Sequence, residues 1–305
     1  MSTEVGMKPH RACDLVISKV EFPVMTMPKL DGVRGVHMNG KFQSRTLKPF
    51  RNKRLDLFND SLLKGMDGEL LAGDIDSQSC MRTTSFTSSF CDKTDDIALP
   101  IWNVFDYITE KTQHLKYITR YNMLVDAVNS GIEKRPSLFN FIKIVNMVIA
   151  NNEDELYEIH SNNIEEGHEG TIVRSFDGRH KNGRCTANEG RYLRMKDLGD
   201  EECIILSVIE AQTNNNPQTT NELGNSVRSS HKEYKEGNGM VGSIEVQIPD
   251  GRIIRIGAGH MTHEERIKYF ENPPIGKRCT YKFMPHGEKD MRRHPRFKCF
   301  REDDK

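Results

Sequence analysis

The run Met27-Pro28-Lys29-Leu30-Asp31-Gly32-Val33-Arg34-Gly35 decides how the rest of the chain is read. It places a lysine, a carboxylate, a glycine and an arginine close together at the end of an apolar stretch that predicts a strand. Such a set can attack a phosphorus atom through nitrogen and hold the anion that remains. Alone, Lys-x-Asp-Gly is as easily a charged turn, so the weight falls on what accompanies it.

Working outward, Gly35 to Arg45 holds two short runs around Asn39-Gly40, a two-residue hairpin signal, so Lys29 stands just ahead of a β-hairpin. Four further segments carry charge on predicted strands. Asp67-Gly68-Glu69-Leu70 opens one, and Ile101-Trp102-Asn103-Val104-Phe105-Asp106-Tyr107 ends in an aromatic and an acid. Glu169-Gly170-Thr171-Ile172-Val173-Arg174 puts a carboxylate before a strand. Tyr192-Leu193-Arg194-Met195-Lys196 sets two cations on alternate positions, hence on one face. Each alone is weak; their joint presence asks for a shared reason.

At 305 residues the chain can bury two cores. With 36% hydrophobic and 29% charged residues it has the composition of a globular protein, and no apolar run is long enough to span a membrane. Seven scattered cysteines with no Cys-x-x-Cys pair argue against a disulfide framework or a cysteine zinc site and predict free thiols. These features, with no apolar leader in the first residues, predict an intracellular protein with no membrane partner. The formal net charge is zero, but Lys41 to Arg54 carries six basic residues and no acid, and Lys277 to Arg301 is also mostly basic. Patches of this kind suit phosphate backbones.

Apolar periodicity predicts a helix from Thr112 to Gly131, with Gly131 as its terminator, and another from Glu153 to Glu166 with acids in its first turn. Beyond about Leu198 the pattern changes. Cys203–Ile209, Gly242–Ile248, Arg252–Gly257 and Cys279–Phe283 alternate as four short strands, with a turn at Pro249-Asp250-Gly251 and a short helix from His263 to Phe270. That predicts a small β-barrel. Thr213 to Gly239, rich in Asn, Ser and Gly, reads as a long exposed loop. The expected division is 1–198 and 199–305.

In this order the five segments resemble motifs I, III, IIIa, IV and V of the covalent nucleotidyltransferases, the superfamily of ATP-dependent DNA ligases, RNA ligases and capping enzymes. Ser44-Arg45 resembles the accessory motif that follows motif I in ligases. The tail, from Met240-Val241-Gly242-Ser243-Ile244 to Arg293-His294-Pro295-Arg296-Phe297 and Arg301 through Lys305, resembles a ligase OB domain ending in motif VI. The likeness covers nearly the whole chain and is greatest to the short ligases of phages and viruses. It implies an α+β fold: an adenylation (nucleotidyltransferase) domain of antiparallel sheets with flanking helices, then a C-terminal OB-fold β-barrel.

The resemblance implies the following roles. Lys29 is the nucleophile that becomes AMP-lysine. Arg34 and Glu69 hold the ribose and its surroundings, and Phe105 stacks on adenine. Arg194 and Lys196 contact phosphate oxygens, with Arg194 standing where relatives often carry lysine. Glu169, helped by Asp31, binds Mg2+ (or Mn2+). Arg45 clamps the DNA 5′-phosphate. Arg293, Arg301 and Lys305 orient pyrophosphate in the first step, with a hinge near Asp197 to Asp200. Met27 replaces a residue often polar in relatives. A lysine that attacks phosphorus must be neutral, and unperturbed lysines titrate near 10.4, so the type of site needs cations around it.

ATP is the expected cofactor, because NAD-dependent relatives carry an added N-terminal domain and a four-cysteine zinc site. The expected partner is nicked duplex DNA and the expected state a monomer, serving replication or repair. An RNA ligase would share the first five motifs but lack the OB tail. A capping enzyme has a tryptophan in its last motif, whereas the sole tryptophan here is Trp102. A non-catalytic OB protein would give Lys29, Glu69, Glu169 and Lys196 no common purpose. The loop 213–239, with Arg228, His231, Lys232 and Lys235, could reach around a duplex like the clasping hairpin of small viral ligases.

Overall fold

The computed structural model describes residues 6–76, 78–285 and 291–301. The chain divides into two compact units, Met1–Lys196 and Asp197–Lys305. Each is built on its own hydrophobic core.

The first unit contains two five-stranded sheets. One carries, in spatial order, Cys13–Asp14, Tyr192–Lys196, Gly170–Arg174, Val24–Lys29 and Val148–Ala150. The other runs Lys41–Ser44, Val33–Met38, Met66–Leu71, Ile101–Tyr107 and Ile142–Ile144. Pairing is mostly antiparallel, as expected, but one edge of each sheet is parallel. The chain crosses from the first sheet to the second at Leu30-Asp31-Gly32, directly after Lys29. The expected hairpin follows, with Asn39 and Gly40 both at positive φ (54° and 76°), the geometry of a type I′ turn. Trp102, fully buried, packs edge-on against Phe42 and donates to the Gly35 carbonyl at 3.2 Å.

The expected helix over 112–131 begins later and runs further, Tyr117–Lys134. Gly131 does not end it. A Cβ there would lie 1.9 Å from Phe139 Cζ, so this glycine clears room for the Phe139 ring against the helix. The second helix, Glu153–Glu165, is capped by Asn152, whose side chain accepts from the Glu155 amide.

In the second unit Gly199–Asn214, Lys235–Gln247, Ile253–Gly257, Arg293–Phe300 and Arg278–Met284 close a barrel. Its interior is filled by alternate residues such as Ile205, Ile244, Val246, Ile254, Ile256 and Tyr281. The fifth strand, Arg293–Phe300, has no apolar alternation to betray it: Phe297 is its one residue in the buried core. Residues 213–239 hold more order than a loop. The two long barrel strands stay paired as far as Asn214 and Lys235, and Gln218–Thr220 pairs with Ser226–Arg228 beyond them. Both faces of that ribbon are exposed, so it has no hydrophobic period to read. The short helix His263–Glu271 opens with a capping box between Thr262 and Glu265. All seven cysteines are free, although Cys203 and Cys279, cross-strand partners, bring their sulfurs to 3.4 Å.

Candidate active site

Three adjacent strands of the first sheet bring Lys29, Gly170 and Lys196 into one row, since Gly170 pairs with both lysines. Glu169 precedes this row. Its amide donates to the Lys29 carbonyl at 3.0 Å, and its carboxylate accepts from the ammonium groups of both Lys29 and Lys196. Gly170 makes the row possible. Its φ is +150°, and a Cβ would stand 2.1 Å from the Met195 carbonyl oxygen. Burial alone would raise the Glu169 carboxyl, but Lys29 and Lys196 outweigh it and hold the group below its usual range. The result is one buried anion gripped between two cations.

The row borders a cleft of about 420 Å³, a volume suited to a small ligand. Lys29, Arg34, Arg45, Glu69, Phe105 and Arg194 line it, so six of the residues named from sequence converge on one space. Lys196 reaches its edge through Glu169. Asp31 is buried beside the cleft and outside its lining. Lys305 lies outside the described residues. Arg293 and Arg301 belong to the second unit, where Arg301 stands 3.1 Å from the Glu202 carboxylate.

Arg34 and Glu69 are cross-strand partners by backbone register, yet the Arg34 guanidinium turns to Asp67. It makes a forked pair at 2.9 and 2.6 Å and adds a bond to the His10 carbonyl at 2.7 Å. Its carbon sits 5.4 Å from the Phe105 ring centroid. Glu69, left with only the more distant charges of Lys29 and Arg34, is pushed by burial up to about 7. Asp67 was visible in sequence only as the first residue of Asp67-Gly68-Glu69; its spacing of two from Glu69 was the available signal.

Two cleft arginines were not foreseen. His10–Arg11 pairs in parallel with Gly183–Arg184, setting Arg11 opposite Arg184, and both line the cleft with Arg45. Burial and the neighbouring cations Arg184, Arg45 and Arg34 hold the Arg11 guanidinium below its ordinary range. Such crowding of like charges is the mark of an anion site. Nothing in the sequence at 10–11 or 183–184 announces so short a pairing. Asp106 receives Arg174, which also lines the cleft, and Arg120 behind it; of this buried cluster only Arg120 lay outside the charged segments singled out in the sequence.

Comparison with known families agrees with this geometry. Residues 8–191 match the ATP dependent DNA ligase domain, and residues 235–301 match the DNA ligase OB-like domain. Among solved structures the chain is similar to the Chlorella virus DNA ligase-adenylate, with 29% identity, a TM-score of 0.52, and 96% of this chain and 99% of that one covered. It shares its fold with a Lig E DNA ligase (20% identity, TM-score 0.68, 97% and 99% covered). The same holds for the bacteriophage T7 ATP-dependent DNA ligase in complex with ATP (16%, 0.54, 98% and 100%). No curated protein sequence matches. The first of the family matches spans more than half of the chain and takes in Lys29 and most of the cleft around it, and on that ground the chain belongs to the ATP-dependent DNA ligases.

Proposed function

We propose that this ligase seals nicks between a 5′-phosphate and a 3′-hydroxyl in duplex DNA through a lysyl-AMP at Lys29, acting as a monomer. The observation that carries the reading is the grip of one buried carboxylate, Glu169, on both Lys29 and Lys196 at the edge of a cleft that also holds Glu69 and Phe105. In the first step the Lys29 nitrogen bonds to the α-phosphorus of ATP, the bond to the bridging oxygen breaks, pyrophosphate leaves and the nitrogen sheds a proton. In the second an oxygen of the DNA 5′-phosphate displaces the lysine nitrogen from the same phosphorus. In the third the 3′-hydroxyl attacks the 5′-phosphorus and AMP departs.

Phe105 stacks on the adenine, with Met27 as an apolar wall. Arg34, committed to Asp67, acts by fixing the ribose side of the cleft, where Glu69 accepts from the sugar. Arg194 and Lys196 bind phosphate oxygens as charge builds on them. Arg45, together with Arg11 and Arg184, holds the 5′-phosphate of the nick. Arg293 and Arg301 orient pyrophosphate in the first step only, and Lys305 joins them. The ribbon 213–239, with Arg228 and Lys232, is assigned to gripping the duplex.

Glu169 fits a divalent cation. Among the described residues there is no cluster of three metal-ligating side chains, and Mg2+ favours one or two carboxylates with phosphates and water completing its shell. Glu169 would hold it, with Asp31 as the nearby second acid. When bound, Mg2+ or Mn2+ supplies a Lewis acid at the α-phosphate.

Incubation with α-labelled ATP and magnesium should label the protein covalently. Absence of label, or label that survives Lys29→Ala, rejects the mechanism. Sealing of nicked DNA should exceed joining of single-stranded RNA under matched conditions, and the reverse preference would move the chain to RNA joining.

A further inference from the structure

Phe105 and Asp106 are consecutive on one strand, so their side chains leave opposite faces. Phe105 looks into the cleft, while Asp106, 2% exposed, turns into the interior. There it accepts from Arg120 Nε at 2.8 Å and Nη2 at 3.0 Å, and from Arg174 Nη2 at 2.7 Å. Arg120 is anchored further by the Leu115 and Gly178 carbonyls at 2.7 and 3.1 Å. The Arg174 guanidinium sits between two rings, its carbon 3.7 Å from the Tyr117 centroid and 4.0 Å from the Tyr192 centroid.

The Tyr117 hydroxyl donates to the Phe105 carbonyl at 2.7 Å and rests 3.6 Å from Met27 Sδ. One turn along the helix, Tyr121 donates to the Val145 carbonyl at 2.9 Å. Phe105, Met27 and Val145 are apolar walls of the cleft, and each is fixed from behind by this helix.

Three charges buried with one left uncompensated are an expensive way to fill an interior. Replacing such clusters by apolar side chains of similar volume is often neutral or stabilising, so stability alone does not account for the arrangement. What it achieves is immobility: a carboxylate held by the Arg120 fork and by one bond from Arg174, and an arginine set between two rings, leave the slot between Phe105, Met27 and Val145 a single shape.

We propose that Asp106, Arg174 and Tyr117 are positioning residues for the nucleobase, holding the apolar slot open at the width of a purine ring so that ATP binds without first ordering its walls. The proposal rests on the assignment of Phe105 to base stacking. Asp106 and Tyr117 lie behind the cleft and Arg174 lines it on the same side as Tyr192, so in this proposal their loss acts on nucleotide affinity and leaves the turnover of bound ATP alone.

The test is the ATP dependence of lysine adenylylation. Tyr117→Phe removes one hydroxyl and no charge. It should raise the KM for ATP about three- to tenfold, the range set by one lost hydrogen bond, with kcat within about twofold. In the reverse reaction of the adenylylated protein, the KM for pyrophosphate should not change, because the base is already in place. Arg174→Lys keeps the charge but not the planar group held between Tyr117 and Tyr192, and should show the same raised KM instead of rescuing it. An unchanged KM for ATP in Tyr117→Phe overturns the proposal, as does a fall in kcat at constant KM in both variants. If the wild-type protein takes no label from ATP, the Lys29 reading fails instead, and the two failures are told apart by that control.

Discussion

Asp67 and Glu69 stand two residues apart on one strand and should respond to neutralisation with opposite signs. Asp67 is 1% exposed at its side chain and holds the Arg34 fork. Asp67→Asn leaves that guanidinium buried with half its partner, and breaking a buried pair costs about 3–5 kcal/mol. Because Asn keeps one acceptor, the lower end of the range is expected. Glu69 has no such pair, and its carboxyl is pushed up to about 7 from an ordinary value of 4.5. A folded value above the unfolded one means that the folded state binds the proton more tightly, so stability falls as pH rises from about 4.5 to 7 and then levels.

The gap of about 2.5 pH units corresponds to roughly 3 kcal/mol by linkage, an upper figure for a group that is partly exposed. Glu69→Gln should therefore stabilise the first unit by up to about 3 kcal/mol at pH 8 and by little at pH 4.5. Meanwhile the variant loses lysine adenylylation. Urea unfolding followed by fluorescence is a clean probe, because Trp102 is the only tryptophan and is fully buried in that unit. Destabilisation by Glu69→Gln at pH 8, or an effect that does not grow between pH 4.5 and 7, would refute the reasoning.

Gly170→Ala meets the Met195 carbonyl at 2.1 Å and a φ of +150°. Strain and overpacking together predict a loss of about 2–6 kcal/mol, with adenylylation abolished as Glu169 leaves the lysine row; urea curves and label uptake test both. Arg301→Ala breaks a pair whose members are 43% and 45% exposed, worth no more than about 1 kcal/mol, so its unfolding curve should barely move. It should nevertheless lose self-adenylylation while sealing pre-adenylated nicks, and equal loss in both assays would contradict its assigned step. Asp106 is buried, which alone raises its carboxyl, but Arg120 and Arg174 hold it well below the usual range. Its contribution to stability is complete above about pH 4 and fades as pH falls towards the depressed folded value, so Asp106→Asn should flatten the acid limb of the wild-type curve.

The legible part of this molecule and the hidden part differ in their physical basis. Strands that alternate and turns that need Asn-Gly write themselves into local sequence, as at 39–40; Lys29, Glu69, Phe105, Glu169 and Arg194 stood out only as an ordered set of segments resembling a family's motifs. Gly131 misled because a glycine in a helical pattern signals a terminus, while its actual use was space for the ring of Phe139, a residue of the next helix that fits no local pattern with it. Arg293–Phe300 escaped because Phe297 is its single buried residue among several basic ones, and the ribbon strands of 213–239 because both their faces are exposed.

Partner choice was the deepest loss. Arg34 has Glu69 as its cross-strand partner and was read with it, yet a guanidinium on a flexible stem reaches the diagonal neighbour as easily. It pairs with Asp67, the more buried of the two acids, where the Coulombic return is larger and a second lone-pair-matched bond forms. That choice has a chemical consequence. By taking Asp67 out of play, Arg34 leaves Glu69 as a cleft-lining carboxyl that burial pushes up to about 7, with Lys29 and Arg34 drawing it back down. Had the arginine paired with Glu69, that acid would be spent on protein. The diagonal pairing, invisible in the sequence, is thus what turns a strand with two acids into one carboxylate committed to the protein and one that faces the cleft.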